Sequence, residues 1–153
     1  MKDRTVGLLF VAVQALLLTV LVLLPNRGDW QTPEWIRFAG LLFMVIGIAL
    51  IGLASLRLGA SLSPTPVPVL RGQLTTTGLY AFMRHPIYSG VLIAVAGFTV
   101  RSGSWVTLAV ALVTIVFFNR KASWEEARLG AKYESYSDYA DKTPRFIPRL
   151  WRT

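Results

Sequence analysis

The chain contains no cysteine, one histidine and few charged residues, and each shortage removes a class of function. Without cysteine there are no disulfides, thiolate metal sites or cysteine nucleophiles. A single histidine argues against a metal site, and none is predicted. The motifs of nucleotide-binding loops, zinc proteases and serine hydrolases are also missing. Charged residues make up 16% of the chain, against about 25% in a typical soluble domain.

The chain instead contains four long apolar stretches without charged residues. They cover residues 5–24, 38–56, 87–100 and 105–118. The first two have the length of about twenty residues that a helix needs to cross a bilayer. The last two reach only about 21 Å at about 1.5 Å per residue, so they must extend past their polar ends, thin the bilayer or enter it as a hairpin. Residues 1–153 are therefore predicted to form a single all-α, polytopic membrane domain with about four transmembrane helices.

Three shorter features refine this architecture. The stretch 5–24 exceeds the apolar core of a signal peptide, and no small-residue cleavage site follows it, so we interpret it as a transmembrane helix. Residues 101–104, "RSGS", form a tight polar turn that makes the third and fourth apolar segments antiparallel neighbours. The second helix contains glycines that permit close helix packing, namely Gly40, Gly47 and Gly52.

Basic residues outnumber acidic ones by 16 to 8, giving a net charge of +8. In a soluble protein this excess would indicate nucleic acid as a partner. Here the basic residues flank apolar segments, so contact with anionic lipid headgroups explains them and no nucleic acid is predicted.

The basic residues also predict the orientation, because lysine and arginine favour the cytoplasmic side. One side of the membrane receives 13 of the 16, which are Lys2, Arg4, Arg57, Arg71, Arg84 and the eight between Arg120 and Arg152. The other side receives Arg27, Arg37 and Arg101. We therefore expect a multi-pass protein of a prokaryotic cytoplasmic membrane, with both termini and the connector 57–86 in the cytoplasm.

The two cytoplasmic segments differ in composition. The connector 57–86 has prolines at 64, 66 and 68, which exclude a helix there. The tail from Arg120 to Lys142 is charged and free of proline. It is predicted to continue the fourth helix into the cytosol, as a cytoplasmic C-terminal helix that ends before "TPRFIP".

Two polar clusters lie at the ends of the apolar hairpin. Arg84, His85 and Tyr88 open its first arm, and Glu125 and Glu126 follow its second. A structural interpretation exists for the first cluster: the proline at 86 begins a helix, the arginine reaches the headgroups, and the tyrosine joins an interfacial belt. Ionisable residues near membrane depth are costly, however, and usually face the protein interior. Since the hairpin brings both clusters together, a functional site is favoured.

The acidic pair also has a structural interpretation, in which Glu125 pairs with Lys121 and Arg128 on a solvated helix face. Adjacent residues on a helix point about 100° apart, so Glu125 and Glu126 are expected to have different roles. Three tyrosines follow at every third position, which is more typical of packing than of a ligand site; they are Tyr133, Tyr136 and Tyr139.

Taken together, two separated motifs resemble the isoprenylcysteine carboxyl methyltransferase family and the related phospholipid methyltransferases. The first is "GLYAFMRHPIYSG", and the second is "EEARL" followed by "YESYSDYADKTPRFIP". The resemblance covers residues 77–148. Family members usually have "FGxxYxxY" after the acidic pair, where this chain has the shorter "YESYSDY". Only two helices precede the motif, so a prenylated protein C-terminus does not follow as the acceptor.

The resemblance implies membrane helices that bind S-adenosylmethionine at the cytoplasmic end of the last helices, without a Rossmann domain. It implies that Arg84 contacts the methyl acceptor, a lipid or an amphiphilic small molecule. It implies cofactor contacts for Gly78, Tyr80, His85, Tyr88, Glu125, Glu126 and Tyr136. Tyrosine faces favour a sulfonium cation, carboxylates accept hydrogen bonds from ribose or amino groups, and arginine grips oxyanions bidentately.

Two alternatives remain open at this point. Membrane reductases of sterols and other lipid enones, which bind NADPH, have an RHPxY-like element but usually carry asparagine where this chain has Ile87. A non-catalytic membrane subunit could have the same fold. Oligomeric state does not follow from the sequence.

Overall fold

The structure, a computed structural model, describes residues 2–24, 28–63, 65–67 and 72–148, with the side chains of Lys2 and Ala60 excepted. The prediction of a polytopic all-α membrane protein is confirmed, and these ranges contain no strand. The helices are α1 (Lys2–Leu23), α2 (Glu34–Leu58), α3 (Pro86–Ser102), α4 (Trp105–Lys132) and α5 (Tyr136–Lys142).

Three helices, α1, α2 and α4, are long and apolar enough to cross a membrane. The fourth apolar helix, α3, has 17 residues and is therefore about 25 Å long. At 28 residues, α4 is about 42 Å long and exceeds the hydrocarbon thickness of about 30 Å. Both α3 and α4 extend past their apolar stretches, which is one of the three alternatives that the sequence left open.

A seam of glycines brings α2 and α3 together. A Cβ atom on Gly47 would collide with the carbonyl oxygen of Gly90, and one on Gly97 would collide with that of Gly40. Such small residues let helix backbones approach closely, which is a main source of helix association in membranes. Close packing is thus confirmed for Gly40 and Gly47. It is wrong for Gly52, which faces open space.

The connection between α3 and α4 is the predicted tight turn. Gly103 adopts the left-handed conformation with φ of 59°, which glycine accepts without steric cost. Its carbonyl oxygen accepts a hydrogen bond from the backbone N–H of Trp30 over 3.1 Å, and the Trp30 ring lies edge-on against that of Trp105. The two helices are neighbours, and α3 also packs along α2 while α4 packs along α1.

The prediction that α4 continues to Lys142 is wrong. The helix ends at Lys132, Tyr133 is extended, and α5 starts at Tyr136. The hydroxyl of Tyr133 donates a hydrogen bond of 2.6 Å to the carbonyl oxygen of Gly72 in the connector. This contact holds the chain at the break, and α5 therefore turns back toward the start of α3.

The connector is mostly irregular between α2 and α3, as the prolines predicted. Pro66 is buried and non-helical, and Val67 contacts Gly7 of α1. Short 3₁₀ turns occupy Gly59–Ser61 and Gly78–Ala81. Several residues used in the sequence predictions lie outside the described residues, namely Arg27, Pro64, Pro68, Arg71, Arg149 and Arg152.

Candidate active site

The RHPIY motif forms the entry to α3. Pro86 occupies the first turn of the helix, where its missing N–H costs nothing. The backbone amides of Arg84 and His85, which precede the helix, donate to the carbonyl oxygens of Pro144 and Arg145 over 2.9 and 3.0 Å. The segment after α5 is thereby fixed against the motif, and both side chains have a defined direction.

Glu126 lies at the centre of an ionic network. It accepts two hydrogen bonds from the guanidinium of Arg145, of 3.0 and 2.6 Å. Nε2 of His85 lies 3.0 Å from its Oε1, and because a carboxylate only accepts, that nitrogen carries the hydrogen. Nη2 of Arg84 lies 3.5 Å from the same oxygen. The side chain is 12% exposed, so Glu126 holds the motif, α4 and the C-terminal segment together.

Glu125 has different surroundings, as the helix geometry predicted. Its Oε2 accepts a hydrogen bond of 2.5 Å from the hydroxyl of Tyr88. The ion pairs of the structural interpretation do not form, because Arg128 pairs with Asp3 over 2.7 Å and Lys121 donates to Gln14. The Glu125 carboxylate instead lines an internal cavity.

This cavity, of about 260 Å³, lies where α1, the end of α2, the start of α3, α4, α5 and the connector meet. All five tyrosines of the chain line it, which are Tyr80, Tyr88, Tyr133, Tyr136 and Tyr139. His85 stacks on the ring of Tyr88 with centroids 5.0 Å apart. Apolar side chains complete the wall and include Leu58, Leu62, Val91 and Phe118. The cavity thus combines aromatic faces, one carboxylate, the basic side chains of Arg84 and Lys121, and an apolar side.

Burial raises the pKa of three tyrosines outside the spanning helices and so favours their neutral form. Burial raises the pKa of Tyr136 to about 12, and burial also raises the pKa of Tyr80 and of Tyr139. The hydroxyl of Tyr139 donates to the carbonyl oxygen of Tyr80 over 2.6 Å. The hydroxyl of Tyr136 is buried and lies close to the guanidinium of Arg84, which lowers the tyrosine's pKa against the effect of burial. No hydrogen bond of good geometry joins this hydroxyl to a described residue.

The predicted site residues occupy three kinds of position relative to the cavity. The cavity is lined by Tyr80, Arg84, His85, Tyr88, Glu125 and Tyr136. Glu126 bonds to these residues from behind the wall. Gly78 is not part of the lining; it has a positive φ of 64° and its backbone lies against the side chain of Arg57.

Three polar residues that contribute to the site were not predicted from the sequence, namely Arg145, Lys121 and Gln14. Gln14 is the only side-chain amide in the apolar stretch 5–24, and a strongly polar group at membrane depth is itself a signal of function. Among the residues that the structure describes, no group of three or more His, Asp or Glu side chains could hold a metal ion.

The sequence matches known proteins over most of its length. A family model described as phospholipid methyltransferase matches residues 35–135. A protein-S-isoprenylcysteine O-methyltransferase of Schizosaccharomyces pombe is 39% identical over 50% of this chain and 34% of its own length. A probable protein-S-isoprenylcysteine O-methyltransferase of Oryza sativa subsp. indica is 31% identical over 86% of this chain and 69% of its own length.

A third relative has a different kind of name. The nickel-cobalt-cadmium resistance protein NccN of Alcaligenes xylosoxydans xylosoxydans is 27% identical over 95% of this chain. The chain spans about a third to two thirds of the length of these relatives.

Proposed function

We infer that this chain, which belongs to the phospholipid methyltransferase family, transfers a methyl group from S-adenosylmethionine to a lipidic or amphiphilic acceptor. The observation that carries this proposal is the convergence of all five tyrosines and Glu125 on one cavity. Aromatic faces attract cations by their ring quadrupole, and a nearby carboxylate adds to that attraction. The names of the Schizosaccharomyces and Oryza relatives support the same reaction class.

The residues of the cavity fit the methyl donor. S-adenosylmethionine supplies a methyl group on a sulfonium sulfur; the carbon–sulfur bond breaks as the acceptor atom bonds to that carbon, and the electron pair stays on sulfur. Neutral tyrosines such as Tyr80 and Tyr136 offer aromatic faces to the cation. Glu125 accepts hydrogen bonds from ribose hydroxyls or an amino group, and the Tyr136 hydroxyl is a further polar partner.

Arg84 is the proposed contact for the acceptor. Its side chain lines the cavity and is 15% exposed. Its Nε is buried without a partner among the described residues. A guanidinium with a free edge can bind an oxyanion in a bidentate manner. Glu126, which is itself bonded to His85, contacts Arg84 from behind the cavity wall and orients it. Such orientation matters because accurate placement of the reacting groups is a main source of rate in this kind of displacement.

The position of the cavity supports a membrane-borne acceptor. Its polar wall is formed by the cytoplasmic ends of α3 and α4, while Leu62, Val91 and Phe118 line its apolar side. A soluble donor would enter from the cytosol, and the tail of an acceptor would remain in the bilayer. We propose this orientation from the distribution of basic residues, with the protein in a prokaryotic cytoplasmic membrane.

The alternatives lack a specific supporting observation. The relatives described above are named as methyltransferases or as a metal-resistance protein, and none of these names concerns a reductase. The name of NccN concerns metal resistance, but the described residues hold no cluster suited to a metal ion.

Thermal stability in the presence of S-adenosylmethionine or NADPH distinguishes the methyltransferase proposal from the reductase and the non-catalytic alternatives. A ligand that binds the native state at about one hundred times its Kd stabilises it by about 2.7 kcal/mol. We expect S-adenosylmethionine alone to raise the melting temperature. Incubation with methyl-labelled S-adenosylmethionine and a membrane extract should then give a labelled lipid by mass spectrometry. A shift with NADPH only, or with neither compound, would contradict the proposal.

A further inference from the structure

Lys121 is a buried cation that faces the cavity. The residue is 3% exposed and lines the cavity wall. Its Nζ lies 5.1 Å from the ring centroid of Tyr88 and 5.8 Å from that of Phe118. It precedes Glu125 by one helical turn on α4, so it lies about 6 Å deeper toward the apolar part of the helix.

No acidic side chain among the described residues forms an ion pair with this lysine; Glu125, one helical turn away on α4, acts on it only through longer-range Coulomb attraction. Nζ donates one hydrogen bond, of 2.5 Å, to Oε1 of Gln14 on α1. Among the described residues no carboxylate oxygen lies within 4.0 Å of it, whereas Arg128 and Arg145 each pair with an acid at that distance. An ammonium group has three donors, so Lys121 retains donors beyond the one that Gln14 accepts. Burying an unpaired charge is costly, which indicates that an anion completes the site.

The contact with Gln14 does not by itself require a cation. An amide oxygen is satisfied by any donor, and a neutral side chain would join α1 to α4 at a smaller desolvation cost. Gln14 lies within the apolar helix α1 and outside the family match at residues 35–135. The family match therefore covers Lys121 but not its partner Gln14.

We propose that Lys121, oriented by Gln14, binds an oxyanion of the methyl acceptor, carried by an amphiphile as a carboxylate or phosphate. The inference rests on the proposed function, because it assigns an acceptor to the same cavity. The depth of Lys121 favours an anion that arrives from the bilayer. Arg84, at the cytoplasmic end of α3, remains the contact near the reacting atom, so the two cations hold the acceptor at different points. Lys121 is a specificity residue in this arrangement.

Binding of simple amphiphiles to the full chain in an uncharged detergent tests the proposal. Dodecanoate and dodecyl phosphate carry the anion, dodecanamide and dodecanol are their neutral counterparts, and inorganic phosphate is the anion without a tail. We expect the wild-type protein to bind the anionic amphiphiles about tenfold or more tightly than the neutral ones, the scale of a hydrogen bond to a charged group. Inorganic phosphate should not compete at equal concentration.

Variants identify the residue responsible. Lys121→Met should lose the preference for the anionic amphiphile, Lys121→Arg should keep it, and Gln14→Leu should reduce it. Arg120→Met removes a neighbouring exposed cation outside the cavity and should change nothing. If the methionine variant does not fold, Lys121→Gln removes the charge while keeping a polar partner for Gln14.

The affinity for S-adenosylmethionine, measured on the same preparations, separates this inference from the proposed function. We expect equal donor affinity in the wild type and all lysine variants. A loss of donor affinity in Lys121→Met would assign the lysine to the donor's own carboxylate and overturn the inference. An unchanged anion preference in that variant, no preference in the wild type, or equal binding of inorganic phosphate would also overturn it. Anion binding that depends on Lys121 in a protein that does not bind S-adenosylmethionine would contradict the proposed function alone.

Discussion

Tyr88 donates its hydroxyl hydrogen to Glu125 over 2.5 Å and so joins the first turn of α3 to the polar C-terminal part of α4. The next residue, Glu126, turns away from the cavity and binds Arg145 and His85 instead. Two adjacent carboxylates therefore belong to two different structures, the cavity wall and the network behind it.

The first prediction follows from this division. Glu125→Gln should leave the protein folded and weaken binding of S-adenosylmethionine, because the carboxylate at the cavity loses its charge. Glu126→Gln should lower the free energy of unfolding by about 3 kcal/mol, since it leaves Arg145 and Arg84 without their counter-charge in a buried network. Calorimetric binding and thermal unfolding on both variants would measure the difference. Glu134→Gln, at an exposed position, is the matched control, and equal donor binding loss with unchanged stability in both variants would contradict the division.

Arg84 allows a sharper test of the site. Arg84→Lys keeps the positive charge but loses the planar fork. We expect a folded variant that still binds S-adenosylmethionine but transfers methyl groups about a hundredfold more slowly, the cost of a misplaced contact. Donor affinity and label incorporation should be measured on one detergent preparation. Near-normal turnover in Arg84→Lys would show instead that Arg84 only anchors the hairpin to the lipid headgroups.

Two tyrosines of α5 form a matched pair. Tyr136→Phe removes a hydroxyl that makes no hydrogen bond of good geometry with a described residue, so stability should not fall, whereas donor affinity should drop about threefold to tenfold. Tyr139→Phe removes the hydrogen bond to Tyr80, so stability should fall by about 1 kcal/mol. Thermal unfolding and calorimetric titration distinguish the two. An unchanged donor affinity in Tyr136→Phe would show that no ligand uses its hydroxyl.

The glycine seam predicts a second matched pair. Gly47→Ala places a methyl group against the backbone of Gly90 and should destabilise the protein by about 1–3 kcal/mol, as overpacking does. Gly52→Ala points into open space and should be neutral or slightly stabilising. Thermal unfolding in detergent measures both. Equal effects would mean that α2 and α3 do not pack through this seam.

The orientation remains a prediction from the basic residues. A cysteine placed at Ser63, in the connector, should react with a membrane-impermeant thiol reagent only after the cells are opened. The natural chain has no cysteine, so every signal comes from the engineered position. Labelling of this cysteine in intact cells would show that the connector lies outside the cell and that the predicted topology is reversed.

The sequence predicted the family, the membrane helices and the meeting of the two polar clusters, because each depends on local features. The family is confirmed by the match over residues 35–135. Pro86 sets the start of α3 at one position only, and Gly103 marks the turn that follows it. The roles of the individual site residues remain predictions, although most of these residues line a single cavity.

What the sequence could not predict depends on distant contacts. The break at Tyr133 depends on a hydrogen bond to Gly72, 61 positions earlier. The helix propensity of the residues around Tyr133 does not indicate so distant a partner. The contact between Gln14 and Lys121 joins positions 107 apart. The spacing of Tyr133, Tyr136 and Tyr139 favours packing and only the family resemblance assigns Tyr136 to the cofactor, whereas in the structure all three line the cavity.

The hydrogen bonds between the RHPIY motif and the segment after α5 limit when the site can form during biosynthesis. The backbone amides of Arg84 and His85 bond to Pro144 and Arg145, and the hydroxyl of Ser89 bonds to the carbonyl oxygen of Phe146, 57 positions later. The ribosome makes the motif first, and α3 and α4 enter the bilayer before its partners exist. The contacts that fix the motif can therefore form only after residue 146 has been synthesised, which comes after both arms of the hairpin.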